Sequence, residues 1–463
     1  MESKLGTIAA IATSLHNSSI GIIRVSGGEA VSIVDRIFVN KRYIHILKDM
    51  KSHTIHYGYI VENGHEIIDE VMVSYMKAPK SFTAEDTVEI NCHGGVLVMQ
   101  RILELVIKNG ARLAEPGEFT KRDFLNGRID LSKAEAVMDI ISSKNKLALQ
   151  SSVKQLQGAV YDKITDIRKI MIHEIAFIES ALDDPEHISL DGYSNLLGEK
   201  VDGLLKEIKR LLNTTENGKI IKEGIRAVIV GKPNAGKSTL LNVLSGEERA
   251  IVTTIPGTTR DILEEDVYLD GINLHIIDTA GIRQTTDIVE KIGVEKAIKY
   301  ASEADLIIYV VDSSICLDEN DVQIMKMIKD KKCIILFNKS DLENQVSINE
   351  LKNKTGHDHK IIKISAKDHT GIDQFKEIVK SMFFKGDISF NDELMITNMR
   401  HKSLLEEVEE SLDQVKRSLD LNMPEDFYTI DLMNAYRSLG KIVGEEVEED
   451  LVNEIFSKFC MGK

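Results

Sequence analysis

The chain of 463 residues has no tryptophan, six prolines, four cysteines and no apolar run long enough to cross a bilayer. Each shortage excludes something. Cys92, Cys316, Cys333 and Cys460 form no C-x-x-C pair and show no zinc-ligand spacing, so a structural zinc site is not expected and a reducing compartment suits the chain. The longest strand-like apolar stretches, such as residues 306–311, fall far below the ~20 residues a spanning helix needs. The N-terminal apolar stretch 8–11 is too short for a signal peptide, which makes the cytoplasm the expected location, with no membrane association. No two glycines stand three residues apart, so the GXXG loop of a KH RNA-binding domain is absent. Basic residues are outnumbered, 58 Lys and Arg against 74 Asp and Glu, for a net charge of −16. The chain as a whole is therefore no electrostatic footprint for nucleic acid, and any RNA contact must be local or shared with a partner.

What the chain does have begins at residues 231–238, GKPNAGKS, which fill every fixed position of the phosphate-loop pattern G-x-x-x-x-G-K-[ST]. A β-branched run, residues 227–230, precedes them and a helical run, 239–244, follows. That context marks a nucleoside triphosphate site. Backbone N–H groups of Asn234, Ala235, Gly236, Lys237, Ser238 and Thr239 can close on phosphate oxygens at a helix N-terminus. Lys237 is expected to reach the β- and γ-phosphates and Ser238 to ligate Mg²⁺.

A second apolar strand, 333–337, runs into Asn338-Lys339-Ser340-Asp341, the N-K-x-D pattern that reads guanine. The Asp341 carboxylate can accept from both N1–H and the exocyclic amine of guanine, and adenine offers neither donor there. Ser365-Ala366-Lys367, after the strand 360–364, would add contacts to the same base. Between these segments lie Asp278-Thr279-Ala280-Gly281, at the end of strand 274–277, and the threonine pair Thr258-Thr259. Asp278 is placed to hold a metal-bound water, Gly281 N–H to sense the γ-phosphate, and a loop threonine, Thr259, to complete the Mg²⁺ shell. Loss of the γ-phosphate would release both segments. The residue after Gly281 is Ile282, which cannot orient an attacking water, so Asn234, Arg283 and Glu290 are the polar candidates for that work.

At ~100–200 residues per domain, the length allows about three domains. Residues 1–118 alternate strand and helix signals: strands at 7–12 and 20–25, a helix at 29–38, strands 54–61 and 66–76 around the type I′ turn signal Asn63-Gly64, a strand at 87–91, and a helix at 96–108 stopped by Gly110. This is a compact α+β domain. From 133 to 221 the apolar period becomes helical, with Ile164, Ile167, Met171, Ile175, Ile178 and Leu182 on one stripe, and Leu204, Leu205, Ile208, Leu211 and Leu212 on the next. Residues 213–218 read as a polar linker into a G domain that ends near Phe384. Helical periodicity returns over 391–459, with Leu404, Leu405, Val408, Leu412 and Val415 in register. The expected organisation is multidomain α/β: an N-terminal α+β domain (1–118), an all-α helical bundle in two parts (119–220 and 385–463), and an inserted P-loop, Ras-like G domain (221–384) with a mostly parallel sheet. The acidic run 445–450 reads as a solvated helix face.

Further stretches carry a specific resemblance: Thr7-Ile8-Ala9-Ala10-Ile11-Ala12-Thr13, Gly21-Ile22-Ile23-Arg24-Val25-Ser26-Gly27, Ala114-Glu115-Pro116-Gly117-Glu118-Phe119-Thr120 with Phe124-Leu125-Asn126-Gly127, and the terminal Phe459-Cys460-Met461-Gly462-Lys463. Over its whole length the chain resembles the MnmE (TrmE) tRNA-modification GTPases. The resemblance implies a GTPase that works with an FAD-dependent partner of the MnmG (GidA) type, in a heterotetramer, to place an aminomethyl-type group on carbon 5 of the wobble uridine of certain tRNAs. It implies a folate-binding-like N-terminal domain that forms a homodimer, with 5-formyl- or 5,10-methylene-tetrahydrofolate as one-carbon source. Arg24, Glu89, Arg128 and Lys463 match the folate-contacting positions. Arg128 stands where some members have Lys, which keeps the charge and changes the geometry. Cys460 matches the family cysteine to which a catalytic part has been assigned.

For hydrolysis the resemblance implies K⁺ in place of an arginine finger, held by Asn234 and by oxygens of the loop Thr253, Thr254, Ile255, Pro256, Gly257 and Thr258, with Thr253, Ile255 and Thr258 as ligands. Such a cation neutralises charge developing between the β- and γ-phosphates. Glu290 matches the glutamate that orients water through a second water. Ser18-Ser19 and the stretch 155–159 depart from the family pattern. The alternative is a GTP-switched RNA-binding or ribosome-assembly factor with no modification chemistry of its own.

Overall fold

The computed structural model describes residues 6–247, 264–269, 271–278, 300–355, 359–384, 394–459 and 462. They form two compact units, one of residues 1–141, 154–198 and 411–463, the other of residues 142–153 and 199–410.

The first unit is built on seven strands, β1 Ile8–Ile11, β2 Ser18–Ser26, β3 Phe38–Asn40, β4 Thr54–Glu62, β5 Glu66–Met76, β6 Thr87–Gly94 and β7 Arg112–Leu113, which form one sheet in the order β3-β4-β5-β6-β2-β1-β7. Alternation along the strands gives it one apolar face: Ile23 and Val25, Val71 and Val73, and Val88 and Ile90 are buried with Ile33 of α1 (Ala30–Asp35) and Met99 and Ile102 of α2 (Val96–Lys108). The other face carries Arg24 and Glu89, directly opposite each other in the β2–β6 ladder. The β4–β5 hairpin turns at Asn63, φ 51, closed by the His65 N–H donating to the Glu62 carbonyl at 3.3 Å. The expected helix 29–38 is shorter than its period suggests. Phe38 opens β3 instead, because it pairs with Ile60 of β4. Helices α3 (Glu118–Leu125), α4 (Leu131–Ser142) and α6 (Ala159–Asp183) belong to this unit, α6 packing along the helix Glu425–Val443, while most of α5 (Lys146–Leu156) and of α7 (Tyr193–Asn213) falls in the second unit. On α6 the stripe ends on buried Ala181, and Leu182 is exposed, since a 3.6-residue period reaches position 181 after 178 as readily as 182.

The second unit is built on β8 (Ile225–Val230), β9 (Glu264–Leu269), β10 (Ile272–Asp278), β11 (Leu306–Asp312), β12 (Cys333–Asn338) and β13 (Lys360–Lys363), a six-stranded sheet of order β13-β12-β11-β8-β10-β9. All run parallel except β9, which pairs antiparallel with β10. Both faces are covered, which explains why the central strands β11 and β12 are apolar and buried nearly from end to end, and why neighbouring residues of β8 serve both sides: Ala227 and Ile229 enter one core, Val228 and Val230 the other. Of residues 213–218, expected as a linker, Asn213 ends α7 and 215–218 form the start of α8 (Thr215–Glu223). Its polar sequence is overridden by packing, for Thr215 and Ile221 are buried and a Cβ on Gly218 would meet the Ile396 carbonyl oxygen at 2.3 Å. The acidic run 445–450 is no single helix face either. It spans the turn after the helix Glu425–Val443 and enters the helix Glu449–Ser457, with Glu445 paired to Arg168 at 2.5 Å. Among the described residues no helix is long and apolar enough to cross a membrane.

Candidate functional site

The carboxyl ends of β8, β10, β11, β12 and β13 deliver residues 231–238, Asp278, Asp312, Asn338 and Ser365, the edge of a parallel sheet where ligands bind. From β8 the chain turns through the phosphate loop into α9 (Lys237–Glu247), leaving the first N–H groups of that helix without intrahelical partners. Lys237 is buried, and its ammonium donates to the carbonyls of Gly231 and Lys232, both at 2.7 Å. Asn234 takes φ 62 and is exposed, as are Ser238 and Thr239. Gly236 has φ 97, and a Cβ there would lie 2.2 Å from the Asn338 amide nitrogen, so only glycine fits.

Asn338 joins the two halves of the site. Its Nδ2 donates to the Ala235 carbonyl at 2.8 Å and its Oδ1 accepts from the Ala366 N–H at 3.0 Å, all three residues being buried. One side chain thus holds the phosphate loop and the 365–367 loop in register. Ser365 Oγ donates to Asp341 Oδ1 at 2.8 Å and fixes an exposed carboxylate beside that loop. Lys339, at φ 61, pairs with Asp312 at 2.5 Å. Burial works against the Asp312 charge, yet the hydrogen bonds from Lys339 and Ser314 hold its carboxyl below the usual range. Asp312 was missed by motif reading. The signal was available in its place at the end of an apolar strand, as with Asp278 and Asn338.

A second cluster lies on the open face of the seven-stranded sheet. Arg24 Nε donates to Glu89 Oε1 at 2.8 Å, and Arg24 Nη1 donates to the Gly462 carbonyl at 3.2 Å. The Arg24 guanidinium lies 4.7 Å from the centre of the Phe82 ring, and Arg128 lies 5.6 Å from the same ring. Arg128 is paired with buried Asp123, whose carboxyl burial pushes up while Arg128 pulls it down, burial prevailing. Gly462 takes φ 86, and a Cβ there would lie 2.4 Å from the Ile11 carbonyl oxygen. Gly462 is therefore seated against β1. Of the four positions matched to folate, Arg24 and Arg128 meet at Phe82, which sequence reasoning did not single out, and Glu89 joins them through its pair with Arg24. Nothing in the local pattern around Phe82 marks it.

Several expected residues lie outside the described ones: Thr253, Thr254, Ile255, Pro256, Gly257, Thr258, Thr259, Thr279, Ala280, Gly281, Ile282, Arg283, Glu290, Cys460 and Lys463, together with the side chain of Asp278. Among the described residues no group of three or more His, Cys, Asp or Glu side chains is placed to hold a metal ion.

Two family models match. "MnmE helical domain" covers residues 131–460 and "GTP-binding protein TrmE N-terminus" covers residues 7–128. The chain is 58% identical to the tRNA modification GTPase MnmE of Lachnoclostridium phytofermentans, over 99% of this chain and 100% of that protein. It is 50% identical to the protein of the same name from Acetivibrio thermocellus, over 99% and 100%. Among solved structures it is similar to a point variant of Aquifex aeolicus Era bound to GDP·AlF4⁻, at 27% identity over 40% of this chain and 66% of that one, TM-score 0.29.

Proposed function

This chain belongs to the MnmE family of tRNA modification GTPases, and from that premise we propose a cation-assisted hydrolysis coupled to folate-dependent modification of a tRNA wobble uridine. It is a GTP hydrolase. The observation that carries the site assignment is the Asn338 clamp, which ties the phosphate loop at Ala235 to the base loop at Ala366. That tie sets the span between a bound guanine and its phosphates.

Lys237 and the N–H groups of residues 234–239 receive the phosphates, and Asp341, with Ser365, Ala366 and Lys367, receives guanine. Ser238 and Thr259 supply hydroxyl oxygens to Mg²⁺, a hard cation that suits them. Asn234, exposed at the turn of the loop, fits a K⁺ ligand with Thr253, Ile255 and Thr258; K⁺ there would neutralise charge between the β- and γ-phosphates. Glu290 orients the water that Ile282 cannot. Around Phe82, two guanidiniums and one carboxylate form a donor set suited to the pterin edge and glutamate tail of a tetrahydrofolate, with Lys463 as a fourth member. We assign Cys460 a chemical part. The folate would supply the one-carbon unit.

The rest of the reading follows the family: cytoplasmic location, a homodimer through the N-terminal domain, an FAD-dependent MnmG-type partner, and domains at 1–118, 119–220, 221–384 and 385–463. The test is GTP turnover of the full chain in KCl and in NaCl at equal ionic strength, with and without 5-formyl-tetrahydrofolate. Selective activation by K⁺ is expected. Equal rates in the two salts would overturn the cation assignment.

A further inference from the structure

The phosphate loop holds a second lysine, and its charge is turned inward. Lys232 is 7% exposed, with Nζ 2.6 Å from Asp321 Oδ2, 3.3 Å from Asp318 Oδ2 and 3.3 Å from the Cys316 carbonyl oxygen. Asp321 is 1% exposed, and its other oxygen accepts the Tyr309 hydroxyl at 2.8 Å. Asp321 Oδ2 also accepts from the Asp318 N–H at 3.0 Å, while Asp318 caps the helix Glu319–Ile328 through the N–H groups of Asn320 and Asp321. One carboxylate therefore ties together β11, a helix cap and the first turn of the phosphate loop. The Lys232 carbonyl in turn accepts from Lys237 Nζ at 2.7 Å. Burying an ammonium is costly, and an apolar residue of similar volume would pack at less cost. The pair's place under Lys237 gives that cost a use.

We propose that Lys232 is a positioning residue for GTP: its buried pair with Asp321 fixes the carbonyls that aim Lys237 at the β- and γ-phosphates. The proposal rests on residues 231–238 being the GTP phosphate loop, and the experiment separates the two. Affinity for a fluorescent GTP analogue, saturated turnover and thermal unfolding are measured on the full chain and its variants. In the Lys232→Met, Asp321→Leu double variant the buried charges are replaced by apolar bulk, so the fold is kept while the anchor is lost. The expected result is a near-native unfolding temperature with GTP bound about tenfold to a hundredfold more weakly, the loss of one charge-assisted anchor. Lys232→Arg should keep most of the affinity, and preference for GTP over XTP should not move in either variant.

Should the double variant fail to fold, Tyr309→Phe, which removes only the hydroxyl on Asp321, is the milder probe, with about threefold weaker binding expected. Native affinity and turnover in a folded double variant, or in Tyr309→Phe where that variant decides, would overturn the proposal. Failure of the unmodified chain to bind GTP would overturn the phosphate-loop reading itself.

Discussion

The phosphate loop offers a ligand mostly main chain, whereas the cluster around Phe82 offers side chains from β2, β6, the segment after α3 and the loop before β6. The difference decides how each site is written in the sequence. A main-chain cradle needs consecutive residues with particular backbone angles, as at Gly236, and so leaves an unbroken motif. A side-chain cluster is assembled by strand register. Arg24 and Glu89 meet only because β2 and β6 pair antiparallel with those two residues opposite, though 65 positions separate them.

The sharpest way to break the comparison is at the base. Asp341→Asn should move preference from GTP towards XTP by on the order of 10⁴-fold, because a site left with unpaired polar groups rejects the wrong base. Competition between the two nucleotides measures it, and the Phe82 cluster should not respond. Next comes the main chain: Gly236→Ala places a Cβ 2.2 Å from the Asn338 amide in a left-handed backbone, at a cost of about 1–3 kcal/mol, and should depress GTP affinity before it depresses the fold. Titration calorimetry and thermal unfolding together show the order.

On the side-chain site, Glu89→Gln should cost about 1 kcal/mol in unfolding free energy, because the Arg24 pair is only about one-fifth exposed, and leave GTP affinity unchanged.

The smallest expected effect is a pH dependence at the base of β10. Asp266 holds His275 protonated by accepting from its ring Nδ1, and raises its pKa above 6.5; His275, against burial and with help from Lys144, holds Asp266 down at about 2. The His275 contribution is full below its unfolded pKa of ~6.5 and is lost as pH rises through the raised folded value. The Asp266 contribution is full above its unfolded value and is lost as pH falls from ~3.8 towards 2. Denaturant unfolding at pH 5.5 and pH 8.5 should therefore show greater stability at the lower pH from this pair, a difference absent in Asp266→Asn.

Legibility followed the same division. The central parallel strands announced themselves as apolar runs because both their faces are buried, and the phosphate and base loops by motif. The open-face cluster was reachable only through resemblance to a family, because Arg24, Glu89 and Arg128 share no local pattern. Where periodicity misled, tertiary contacts had overridden local preference: Phe38 was drawn into β3 by Ile60, and residues 215–218 into α8 by packing on Ile396. Asp312 and Lys232 were passed over because their partners, Lys339 and Asp321, are 27 and 89 residues away, and only the sheet brings them close.

The most direct measurement is a calorimetric titration of the full chain with 5-formyl-tetrahydrofolate, for the unmodified protein and for Arg24→Ala, with a GTP analogue titrated into both. Folate binding that Arg24→Ala abolishes is expected, with GTP-analogue affinity equal in the two proteins. Folate binding that survives Arg24→Ala, or none in the unmodified chain, would contradict a side-chain site centred on Phe82.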